Sequence, residues 1–212
     1  GVDPPDLGAI PPLVKWGSPD SGPYTWPGDA TANFGLKCAV VSLPPANARS
    51  GILAWSALAH ETAGHDILHA DSGLEEELIK KVHGALAKAN MRNLAEYWAS
   101  RVDETVSDVL GILNMGPAAG IGLIGYFRGL NAAYGGKAKL SSQGSARDPH
   151  PADILRGYLA ASTVRLLQFD RAAEWAQVIE GETDADVGRI KLAGKVVTVQ
   201  QAKASADTVA KT

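Results

Sequence analysis

A chain of 212 residues, 45% apolar and 20% charged, is long enough to bury the core of one domain and has the composition of an ordinary globular protein. Its net charge of −3 and pI near 6.0 argue against nucleic acid as a partner, and no apolar run reaches the ~20 residues of a membrane span. The single cysteine, Cys38, excludes an internal disulfide framework.

Residues 1–48 read as a proline-, glycine- and tryptophan-rich arm, in which proline density forbids long helices. Its one convincing strand is Gly35 to Leu43, ended by Pro44-Pro45. From Ser50, a plausible N-cap, a helix is expected to about Ala70. Leu78, Val82, Leu86, Ala89, Leu94 and Trp98 then recur at helical spacing between Leu74 and Ser100, and a third helix covers Val102 to Asn114. Gly116-Pro117-Ala118-Ala119-Gly120 breaks it, and the glycine-rich stretch to Gly136 has room for a short buried helix. Ser141 to Pro149 is a loop, and Pro151 suits the first position of a helix running to about Phe169. A hairpin about Gly194 and a polar helix form the tail. The expected organisation is an arm at 1–48, a helical domain at 49–188 and a tail at 189–212, predominantly helical with a small sheet. With Gly1 in first place and no signal region, the chain is expected to be processed or part of a larger polypeptide or assembly, its localisation open.

Three of the five histidines, His60, His65 and His69, fall in one short stretch, with Glu61 beside the first. Neutral imidazoles are metal ligands, and an adjacent carboxylate can take a proton from a metal-activated water. Histidines four apart share a helix face; His60 and His65 are five apart, which leaves them roughly 140° apart on an ideal helix. One residue absorbed as a π-bulge restores the shared face, and Gly64 is expected to ease that distortion. Downstream, Glu104 and Asp108 are four apart and project from one face, so that one can ligate an ion while the other orients a ligand imidazole.

His60-Glu61-x-x-Gly64-His65 resembles the motif of the dipeptidyl-peptidase III family, zinc peptidases with the same one-residue insertion. Glu104-x-x-Ser107-Asp108-x-x-Gly111 resembles the glutamate helix of the thermolysin-like gluzincins. His150-Pro151 followed by Arg156 looks like the His-Pro-x-x-x-x-Arg segment of the CAAX-prenyl proteases. The matches cover about 40 residues in patches, in the family order; the 39 positions from His65 to Glu104 exceed the gap in thermolysin and hold an extra helix. The resemblance implies an α+β, predominantly helical zincin-like metalloprotease domain with a small edge sheet. It implies Zn2+ held by His60, His65 and Glu104, with Asp108 behind His60, Glu61 as general base, His150 as donor to the oxyanion and Arg156 as a structural or substrate-orienting cation.

The implied activity is hydrolysis of a peptide or protein substrate, laid along the 35–43 strand as on a zincin edge strand, with Tyr24, Trp26 and Phe34 as subsite or packing aromatics. His69 is a packing or outer group; His83 has no evident partner; Asp66 and Asp71 read as local caps or outer carboxylates; Asp148 is a neighbour for His150; Cys38 is a buried strand residue or a cap on a latent zinc. Two other readings stand beside this one. One is a zincin-shaped domain without turnover that binds a partner. The other is a metal-dependent phosphohydrolase built on His65-Asp66, which lacks the upstream histidine that class needs.

Overall fold

The computed structural model describes residues 11–36, 38–48, 55–70 and 73–212. Ser50, Lys37 and Asp71 lie outside them. The chain opens on β1 (Leu13–Trp16), β2 (Tyr24–Trp26), a short helix α1 (Gly28–Ala32) and β3 (Val40–Leu43). The strand expected over 35–43 is thus its last four residues, and it is not an edge. It is the middle of a β1-β3-β2 sheet, parallel to β1 and antiparallel to β2. Val41 and Leu43 are buried there, whereas the short flanking strands are mostly exposed.

Helix α2 (Ser56–Ala59) runs into a π-helical segment, His60–Asp66, and out through α3 (Ile67–Ala70). The long helix expected from Leu74 to Ser100 is two, α4 (Leu74–Lys88) and α5 (Arg92–Ala99). Asn90 takes φ 60° at the break, and the amides of Asn90 and Met91 donate to the carbonyls of Ala87 and Leu86. This Schellman closure uses asparagine, which tolerates the left-handed region, in glycine's usual place. Helix α6 (Val102–Met115) ends at Gly116, φ 63°, and Pro117 starts α7 (Pro117–Gly135), 19 residues where only a short helix was expected.

After β4 (Gln143–Gly144) comes α8 (Asp153–Leu166), buried on all sides from Ile154 to Val164. It starts two residues beyond Pro151, where the Asp153 carboxylate accepts from the Ser141 amide and from Asn131. Helix α9 (Ala172–Asp186), which the sequence reading left unassigned, packs on α8. Strands β5 (Ile190–Leu192) and β6 (Lys195–Val197) form the expected hairpin, with Ala193 and Gly194 at positive φ, and β4 adds to β5 in parallel. Thr198 and Gln201 form a capping box on α10 (Val199–Ala210). The core gathers around α8: Leu155, Tyr158 and Leu159 meet Trp98, Ile112 and Ile179, and the Trp98 indole donates to Ser205 at 3.0 Å. The architecture is mainly helical with two small sheets, and none of its described helices is long and apolar enough to cross a membrane.

Candidate metal centre

Over His60–Asp66 the backbone takes up the inserted residue as π-helix, and His60 and His65 come onto one face, ring centroids 4.9 Å apart and edge-on at 85°. Gly64 sits within the π segment without a positive φ. A Cβ there would fall on Cα and Cβ of Ser107 and lie 2.6 Å from its hydroxyl. On the other side of the crossing, a Cβ on Gly111 would meet the His60 amide nitrogen at 3.3 Å. Gly64, Ser107 and Gly111 are therefore small so that α6 and the π segment can touch backbone to backbone. That contact brings Glu104 and Asp108 to the histidines.

The hydrogen bonds assign the tautomers. His60 Nδ1 faces Asp108 Oδ1 at 3.0 Å and His65 Nδ1 faces Asp103 Oδ1 at 2.9 Å, so carboxylates fix both Nδ1 protons. The pairing runs antiparallel, with histidines five apart on one helix matched to aspartates five apart on the other. Both Nε2 atoms turn to one group: His60 Nε2 lies 3.3 Å from Glu104 Oε2 and His65 Nε2 lies 3.7 Å from Glu104 Oε1. With Nδ1 protonated, a neutral imidazole presents a lone pair at Nε2, and the carboxylate presents lone pairs back. An acceptor facing an acceptor requires a cation or a proton between them. Donors about 2.1 Å from one tetrahedral zinc stand about 3.4 Å apart, close to the separations seen. His60, His65 and Glu104 offer three atoms within 4.8 Å of one another, so the donor set fits a divalent ion.

No family model, curated protein or solved structure matches the chain.

In the metal-free protein a proton does the work of the cation. Burial disfavours the charged form of His60, but hydrogen bonds to Asp108 and Glu104 outweigh it and raise its pKa to about 9. Glu104 resists the upward push of its own burial and is held well below the usual carboxylate range by His150, His60 and Arg156. Arg156 is buried and grips Asp108 with two hydrogen bonds, Nε to Oδ2 at 2.6 Å and Nη2 to Oδ1 at 2.7 Å. Its guanidinium stacks 4.7 Å from the Phe127 ring. Arg156 is thus a positioning cation behind Asp108 rather than a group extended toward a substrate. Glu104 and Asp108 share this one arginine while Asp103 pairs with His65, which leaves room for a dication's charge.

His60, His65, Asp103, Glu104 and Arg156 line a cavity of about 780 Å³, as do Glu61 and His150. Glu61 is buried and accepts from the Thr25 hydroxyl at 2.6 Å, so a residue of β2 holds it in place. His150 is half exposed, with Nε2 3.2 Å from Glu104 Oε1 and Nδ1 2.8 Å from Asp148 Oδ1. Its loop is tied down by Arg101, buried at the α5–α6 junction, which donates to the carbonyls of Tyr97, Ser145 and His150. Pro23, Tyr24 and Pro27 form part of the cavity wall. Trp26 and Phe34 do not line it; they stack on each other, centroids 6.2 Å apart, with large exposed areas. Cys38 is buried ahead of β3, and Asp66 and Cys38 are not in the cavity wall. His83 is exposed on α4.

Sequence reasoning had no role for Asp103, Thr25 or Arg101. Only Asp103 left a signal, the five-residue interval that repeats between the two motifs. His69, read as packing or outer, lies 3.4 Å from Asp103 through Nε2.

Proposed function

We propose that this chain is a zinc-dependent peptidase with His60, His65 and Glu104 as ligands. The observation that carries the reading is the convergence of two imidazole lone pairs on the Glu104 carboxylate, inside a cavity that also holds Glu61. A zinc ion bound there supplies a Lewis acid, which polarises a carbonyl and brings the pKa of water toward neutrality. Glu61, held by Thr25, takes the proton of the attacking water and returns it to the leaving amine. His150, kept in orientation by Asp148, donates a hydrogen bond to the oxygen on which charge develops. Asp108 and Asp103 hold the ligand rings, and Arg156 keeps Asp108 ionised in its buried position. The substrate strand runs along β2, whose outer edge has no strand partner among the described residues, and Pro23 to Thr25 lead it into the cavity. Asp66 stands outside the cavity wall, which weakens the phosphohydrolase reading.

The test is zinc content after reconstitution and dialysis, with cleavage of a peptide mixture followed by mass spectrometry. Tightly held zinc in the wild type, lost in Glu104→Ala, together with cleavage abolished by Glu61→Gln at unchanged zinc content, is the expected result. Zinc content in Glu104→Ala equal to that of the wild type, or cleavage indifferent to Glu61→Gln, rejects the reading.

A further inference from the structure

The Asp103 side of the His65 ring carries a feature that the zinc centre leaves unused. His65 and His69 are four apart, the spacing that puts two imidazoles on one helical face. Asp103 reaches them from α6, with Oδ1 2.9 Å from His65 Nδ1 and 3.4 Å from His69 Nε2. These three atoms also lie within 4.8 Å of one another. The two distances to Asp103 Oδ1, 2.9 and 3.4 Å, lie at or just below the roughly 3.4 Å edge of a tetrahedral zinc site. His69 and Asp103 are more exposed than the inner ligands, with side-chain exposures of 27% and 39% against 14% for His60 and 13% for Glu104. An ion here sits on the solvent side, and water can complete its coordination.

We infer a second divalent-cation site, formed by His65 Nδ1, His69 Nε2 and Asp103 Oδ1, that shares the His65 ring with the inner centre. It uses the same ring as the proposed zinc centre, but it does not depend on peptide hydrolysis. Filling it exchanges the His65 Nδ1 proton, released to solvent, for the cation, and Asp103 changes from hydrogen-bond acceptor to ligand. With both sites filled the ring bridges two ions. Their repulsion across one imidazole weakens both, and the outer ion, more exposed and obliged to displace the Nδ1 proton, is the weaker bound.

Equilibrium dialysis against excess zinc, with elemental analysis and a calorimetric titration, tests this on the full chain. The sharing of His65 sets a pattern: about two ions in the wild type, one in His69→Ala, one in His60→Ala and none in His65→Ala. His83→Ala, which removes an exposed histidine elsewhere, keeps two. His69→Gln repeats the first variant with a bulkier side chain, and circular dichroism verifies that each variant is folded. A wild type that saturates at one ion lost in His60→Ala, or a second ion that survives in both His69 variants, overturns the outer site and leaves the inner reading intact. A single ion that survives in His60→Ala and is lost in His69→Ala keeps the outer site and rejects the inner one. No zinc in the wild type rejects both.

Discussion

Two helix crossings in this molecule use the same device for opposite ends. In the core, α8 meets α9 at Gly157, where a Cβ would strike the side chain of Thr183. At the site, α6 meets the π segment at Gly64 and Gly111. Both crossings draw backbones together by removing side chains. The core crossing buries Leu155, Leu159, Ala176 and Ile179 and leaves its ion pairs, such as Arg165 with Glu180, at the surface. The site crossing buries Glu61, Asp108 and most of Glu104. Close approach thus yields stability in one place, and in the other a concentration of charge that a proton or a cation relieves.

The sharpest way to break this contrast is to remove the charge partner at each crossing. Arg156→Met leaves Asp108 buried and unpaired, and urea unfolding should show a loss of about 3–5 kcal/mol. Arg165→Met, at a pair with 40% and 29% side-chain exposure, should lose less than about 1 kcal/mol. Equal losses would erase the distinction.

Zinc sharpens it further. At about a hundredfold excess over its dissociation constant, it should add about 2.7 kcal/mol to the unfolding free energy, read from thermal melts. The pH dependence has a definite sign. His60 has its pKa raised from 6.5 to about 9, so its proton stabilises the metal-free fold below 6.5 and that contribution vanishes as pH climbs through about 9. Glu104 and Asp108 are depressed, so their contribution holds above the ordinary carboxylate range and fades as pH falls below it. Zinc replaces the His60 proton, so the gap between loaded and metal-free melting temperatures should widen from pH 6.5 to 9. A gap that narrows over that range contradicts the lone-pair account.

Gly64→Ala and Gly157→Ala should each destabilise by about 1–3 kcal/mol through overpacking. Only the first should also weaken zinc binding, measured by competition with a chromophoric chelator; a similar loss in both would mean that the site has no geometry of its own. The smallest effect expected is that of Asp103→Asn. At the inner site it should lower zinc affinity about tenfold by loosening His65, and it should remove the outer ion, with little change in unfolding free energy.

How much of this was legible beforehand depends on whether the cause was local. The histidine interval, read against helical geometry, pointed to the π segment, and Glu104 and Asp108 four apart pointed to one face of α6. The sheet was not legible in the same way. Pairing of β1 with β3 joins Leu13 to Val40 through a proline-rich arm, and the strands are so short and exposed that no alternation marks them. The 35–43 strand therefore looked like an edge when it is the centre. Helix α9 escaped because its buried face is made of small or polar residues, Ala172, Ala176 and Thr183, with Ile179 the one large apolar contact. The close approach that Gly64 allows was not legible because its cause lies on another helix, at Ser107.

The Arg101 clamp has a consequence for how this protein can change. Its guanidinium grips main-chain oxygens of Tyr97, Ser145 and His150, and at 3.4 Å that of Ala146, so it reads the path of the loop and not the identity of its side chains. The side chains at 146 and 147 are thereby open to substitution while His150 stays anchored over the cavity. A rim that can vary in sequence around a fixed imidazole can change the shape of the cavity mouth without moving the residues beneath it.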